Sequence, residues 1–97
     1  MSYRLWWRWN DGVGGHVWLS ADDARRLADE MALQGCGGFA DRITSVEDEA
    51  TITPQEVAAA LESVSAEPIA LADVALWEDW IHFLEGAEAK GGLLVRR

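Results

Sequence analysis

A chain of 97 residues accommodates one domain, here the whole of 1–97, and excludes two of ordinary size. Its net charge of −9 argues against nucleic acid, whose phosphates would repel it. The lone cysteine, Cys36, excludes an internal disulfide, and no stretch nears the roughly 18 apolar residues of a membrane span.

Tyr3 to Trp9 alternate, with Tyr3, Leu5, Trp7 and Trp9 on one side and Arg4, Trp6 and Arg8 on the other. That period of two with aromatic enrichment predicts a strand. Asp11 to Gly15 supply a glycine-rich turn, and His16 to Leu19 a second strand that closes a hairpin. Ser20 is an expected N-cap, with Asp23 at the third helical position. The helix it starts spans Ala21 to Gln34 and carries Ala24, Leu27, Ala28 and Met31 inward. Asp22–Arg26 and Arg26–Glu30 are spaced i,i+4 on its wet face. Gly35 ends the helix, and Gly37-Gly38 predict a longer loop that includes Cys36.

Arg42 to Val46 predict a short strand, and Glu47-Asp48-Glu49 a solvated loop without the alternating pattern of a calcium loop. Thr53-Pro54 open a helix, with Glu56 completing a capping box. Val57, Leu61 and Val64 point inward, and Pro68 lies beyond its end. A third helix spans about Leu71 to Lys90. Val74, Leu76, Trp77, Trp80, Ile81, Phe83 and Leu84 cover about half of its circumference. Trp77 falls near the centre of that arc and Trp80 toward its edge. Gly91-Gly92 stop the helix and Leu93 to Val95 form a last strand. The expected fold is α+β: a small, mostly antiparallel sheet, built from the N-terminal hairpin plus the C-terminal strand, with about three helices packed on it.

The residues offer no catalytic constellation and no metal or cofactor motif. His16, His82 and Cys36 stand at no ligand spacing. Nothing beside Cys36 would lower its pKa. Glu78 and Glu85 flank His82 at i−4 and i+3, which permits a small acid–imidazole cluster on an exposed helix face.

Two features point to binding. The first is the row Arg4, Trp6 and Arg8, joined across the hairpin by His16 and Trp18. Trp and Arg are the residues most enriched at binding hot spots, and Arg stacks on Trp. A helix could equally cover this row. The second is charge: from Glu47 to Glu88 there are acids and no Lys or Arg. Glu78, Asp79 and Glu85 gather with His82 on one arc of the third helix.

These features lead to an expected non-enzymatic protein–protein interaction module whose acidic face docks on a basic partner, of an immunity, antitoxin-like or regulatory kind. The alternatives are a small-molecule binding module with a Trp-lined pocket, or a small enzyme using the acids of the third helix and His82. Six tryptophans in so short a chain favour an exposed apolar patch, hence a homodimer or another protein partner. The first residues, Met1 to Trp6, lack the apolar run and cleavage site of a signal peptide, so the expected location is cytoplasmic. Seven Arg to one Lys is a bias that GC-rich bacterial genomes produce.

Overall fold

The computed structural model describes residues 2–9 and 15–97. The elements run β1 (Ser2–Trp7), β2 (His16–Ser20), α1 (Ala21–Leu33), α2 (Gly37–Thr44), β3 (Glu49–Ile52), α3 (Pro54–Ser63), α4 (Val74–Ala89) and β4 (Leu93–Arg96). The strands form one antiparallel sheet in the order β2-β1-β4-β3. This is the α+β architecture expected of the sequence. Among the described residues no helix is long and apolar enough to cross a membrane.

Strand alternation sorts the sheet into two faces. Tyr3, Leu5, Leu19, Ile52, Leu93 and Val95 point inward and are buried against Leu27, Met31, Val57, Trp77 and Leu84 of the helices. Capping sets the helix starts. The Ser20 hydroxyl accepts from the Asp23 amide, Thr53 and Glu56 form the predicted capping box, and the Asp73 carboxylate accepts from the Leu76 amide.

Where α4 crosses β1 the packing is close. The Trp7 indole donates to the Phe83 carbonyl at 2.9 Å and stacks on the Phe83 ring. A Cβ on Gly86 would stand 2.1 Å from Trp7 Cζ2, so only glycine fits there. After α4, Gly92 takes φ of 93°, and a Cβ there would meet the Ile52 carbonyl at 2.2 Å.

Several expectations need correction. Arg42 to Val46 are not a strand: Gly37–Thr44 form a fourth helix, α2. Ala40, Ile43 and Val46, spaced by three, are all buried, a helical spacing that the window 42–46 alone is too short to reveal. The third strand lies later, at Glu49–Ile52, where the acid of the expected loop is the outward half of an alternating pattern. The last helix begins at Val74 because the Leu71 amide is engaged elsewhere and Asp73 caps. Cys36 is not in a loose loop; it is buried at the α2 N-cap, with Sγ donating to the Met31 carbonyl.

Trp9 is 68% exposed, since β1 ends at Trp7, and its amide donates to the Lys90 carbonyl. Trp80, placed near the edge of the apolar arc, is as buried as the core residues, at 3% exposed. The glycine turn over residues 11–14 lies outside the described residues.

The largest correction concerns Glu30, expected on the wet face of α1 beside Arg26. It is 1% exposed. Its carboxylate accepts the amides of Ile69, Ala70 and Leu71 at 2.7–2.8 Å and the Gln34 side-chain amide at 2.8 Å. Burial alone would raise this carboxyl, but four donors to the charged form outweigh it and bring it down to about 2.

Candidate functional site

The outer face of the sheet carries the residues that alternation turns away from the core. No helix covers it among the described residues, which resolves the question that the sequence left open for the Arg4-Trp6-Arg8 row. The strand registers set two rows across it. Trp18, Arg4, Arg96 and Glu49 are successive cross-strand partners, and beside them run His16, Trp6, Leu94 and Thr51.

Each row is organised by contacts between neighbouring strands. The Arg4 guanidinium lies over the Trp18 ring, 5.0 Å from its centroid. Trp6 and His16 stack at 5.0 Å with an interplanar angle of 14°. Arg96 Nε stands 3.6 Å from a Glu49 carboxylate oxygen. Trp18 remains 61% exposed. Trp6, Trp7, Glu49, Leu94 and Arg96 line an open depression of about 340 Å³.

Thus Arg4, Trp6, His16 and Trp18 come together as expected. Arg8 is exposed beyond the end of β1, where its amide donates to the Gly92 carbonyl at 3.0 Å. Leu94 and Arg96 join the face without having been singled out from the sequence. The run Leu93-Leu94-Val95 hides its alternation because the outward residue is also apolar.

Glu78, Asp79, His82 and Glu85 are all exposed on α4. His82 Nδ1 lies 3.7 Å from Glu85, with side chains 82% and 59% exposed. Neither Glu78 nor Asp79 has a Lys or Arg ion-pair partner among the described residues. This arc is an open, solvated helix surface with nothing to enclose a reacting group. Among the described residues no cluster of three His, Cys, Asp or Glu side chains is arranged to hold a metal ion. Burial pushes the Cys36 thiol up from its ordinary value, the reverse of what an activated nucleophile needs.

Asp79 nevertheless meets the sheet. A slot of about 150 Å³ between the β2 edge and the helices is lined by Val17, Trp18, Leu19, Asp23, Leu27, Leu76, Asp79 and Trp80. The aromatic outer row and the acidic arc therefore adjoin at Trp18. A separate cleft of about 480 Å³ runs between α1 and α2, lined by Ala24, Ala28, Ala32 and Ala40 with Arg25, Asp29 and Asp41 at its rim. Comparison with family models, with curated proteins and with solved structures returned no match.

Proposed function

We propose that this chain is a non-enzymatic protein–protein interaction module that docks on a basic partner, in an immunity, antitoxin-like or regulatory role in the cytoplasm. One observation carries the reading: Trp18 and Asp79 line the same slot, so an exposed aromatic anchor and an acidic arc form one continuous surface. Exposed Trp supplies contact energy at protein interfaces. The cations of the sheet face are engaged within the molecule, Arg4 on Trp18 and Arg96 with Glu49. The acids Glu78 and Asp79 are not so engaged, and the whole chain carries −9. Such a field speeds encounter with a cationic surface and makes the rate salt-dependent.

The test compares the wild type with Glu78→Gln/Asp79→Asn/Glu85→Gln and with Trp18→Ala. Proteins retained from a cell extract at about 50 mM salt are identified, and association is timed at about 50 and 300 mM. The expected partner is basic. Its association slows and loses salt dependence in the triple variant, and its dissociation quickens in Trp18→Ala. The triple variant melts within about 0.5 kcal/mol of the wild type, as exposed substitutions do. A retained set that neither variant changes counts against the reading.

The depression beside Trp6 favours a second reading, a small-molecule site walled by Trp6, Leu94 and Arg96. Trp6→Ala separates the two, since it would remove the small molecule and leave the salt-dependent association in place.

A further inference from the structure

The two outer edges of the sheet differ in how their backbone groups are covered. The Trp7 amide donates to the Gly15 carbonyl at 2.8 Å, and alternation along the ladder then turns the amides and carbonyls of Val17 and Leu19 toward β1. Those of His16 and Trp18 point away from the sheet. At the other edge the Arg97 amide donates to the Asp48 carbonyl, so Glu49 and Thr51 are the outward residues of β3. That edge is guarded: Arg42 donates to the Thr51 carbonyl at 2.9 Å and is held by Glu56 at 2.7 Å. No described side chain does this for β2. The sequence His16-Val17-Trp18-Leu19-Ser20 also lacks the Lys, Pro or bulge that usually blunts an exposed edge.

We propose that β2 is a strand-addition site that receives an extended, basic segment of the partner as a fifth strand. The inference rests on the interaction-module reading and specifies where and how the partner binds. A strand laid beside β2 pairs with the outward groups of His16 and Trp18, about two ladder hydrogen bonds for each. Its alternate side chains fall beside His16 and Trp18 on the outer face. The intervening ones fall beside Val17 and Leu19, over the slot.

The slot selects the chemistry of those intervening residues. Its walls are apolar (Leu27, Leu76, Trp80) and its charged groups are Asp23 and Asp79, with no cation lining it. Lys or Arg fits: the stem lies on the apolar walls and the head reaches Asp79, since Asp23 is already held by Arg26. Trp80, which lines the same slot, carries the one buried side-chain donor without a hydrogen-bond partner among the described residues. A second copy paired through β2 would instead bring Asp23 and Asp79 of both molecules to one seam, between chains of −9 each.

The experiment titrates the full-length, amide-labelled chain with a synthetic alternating Lys-Val peptide of about eight residues, at about 50 mM salt. Controls are the Glu-Val counterpart and a Lys-Val peptide N-methylated at its Val amides. Binding of the Lys-Val peptide is expected to slow hydrogen exchange at the His16 and Trp18 amides and to leave Glu49 and Thr51 unchanged. The Glu-Val peptide does not bind, and N-methylation weakens binding roughly tenfold. Trp18→Pro, which removes an outward donor that the β1 ladder does not use, weakens it roughly tenfold beyond Trp18→Ala. The N-methylated peptide gives the same information on unaltered protein if Trp18→Pro does not fold.

Binding that shifts Glu78, Asp79 and Glu85 without protecting the β2 amides overturns strand addition and leaves the interaction module standing. Protection of His16 and Trp18 that rises with protein concentration alone assigns the edge to a second copy and overturns the proposal. If no basic peptide perturbs either surface, both readings fall.

Discussion

Between α3 and α4, residues 64–73 form neither helix nor strand, and polar bonds hold them in place. Glu30 accepts three consecutive amides of this segment, Gln34 accepts the Ser65 amide at 2.6 Å, and the Trp77 indole donates to the Ser65 carbonyl at 3.0 Å. Where α4 crosses β1, by contrast, the joint is almost wholly apolar: Trp7 lies against Phe83 and in the space left by Gly86, with a single hydrogen bond at its rim. A polar attachment depends on a charge state and opens when that state changes. A packed one depends on shape, and no titration loosens it.

Trp77 ties the polar attachment to the core, since its ring is fully buried there and its indole nitrogen holds Ser65. Trp77→Ala is expected to cost about 3–5 kcal/mol, close to the whole stability of a small domain. Urea unfolding reads the loss directly. A cost near 1 kcal/mol would mean that the cavity collapses and that Trp77 is not the keystone of the helix layer.

Gly86→Ala attacks the packed joint alone. The new methyl cannot coexist with Trp7 as placed, so the expected cost is about 1–3 kcal/mol, with the midpoint lowered and hydrogen exchange in 64–73 unchanged relative to global unfolding. Unaltered stability would show that Trp7 can leave its position without penalty.

Glu30→Gln attacks the polar attachment alone and costs about 1.5–3 kcal/mol at neutral pH, the size expected for losing charge-assisted hydrogen bonds to a buried carboxylate. Its signature is the pH dependence. The folded carboxyl sits at about 2 against an ordinary 4.5, so its contribution is fully present above about 4.5 and is lost as pH falls toward 2. The wild type should lose stability faster than Glu30→Gln across that window, and the variant's amides at 69–71 should exchange faster at neutral pH. Parallel acid limbs in the two proteins would remove Glu30 as the titrating group.

What the sequence revealed depends on how local the cause was. The Thr53–Glu56 box, the Ser20 cap and the alternation of β1 act within a few residues, and each is written where it acts. Glu30 could not be placed, because its partners lie about forty positions downstream, and an acid at i+4 from Arg26 looks like an ordinary surface pair. The strand of 42–46 was misplaced because a five-residue window is too short to show a period; extended back to Ala40, the spacing of three from Ala40 to Ile43 is helical. Arg4, Trp6, His16 and Trp18 were legible as one face because hairpin pairing is local. The slot joining Trp18 to Asp79 was not, since it needs the position of α4 relative to β2.

The strand order has a consequence for synthesis. β4 follows the other three strands in sequence and yet occupies the interior of the sheet, and among the described residues it is the sole strand neighbour of β3. A nascent chain that has emerged as far as α4 can form the β1–β2 hairpin and α1, but β3 has nothing to pair with, and β1 offers a second bare edge until Leu93–Arg96 arrives. Assembly of the sheet therefore waits on β4, the latest of its strands in sequence, and depends on long-range contacts that slow it. The edge that is open in the finished molecule is then the second one that the young chain has to shield.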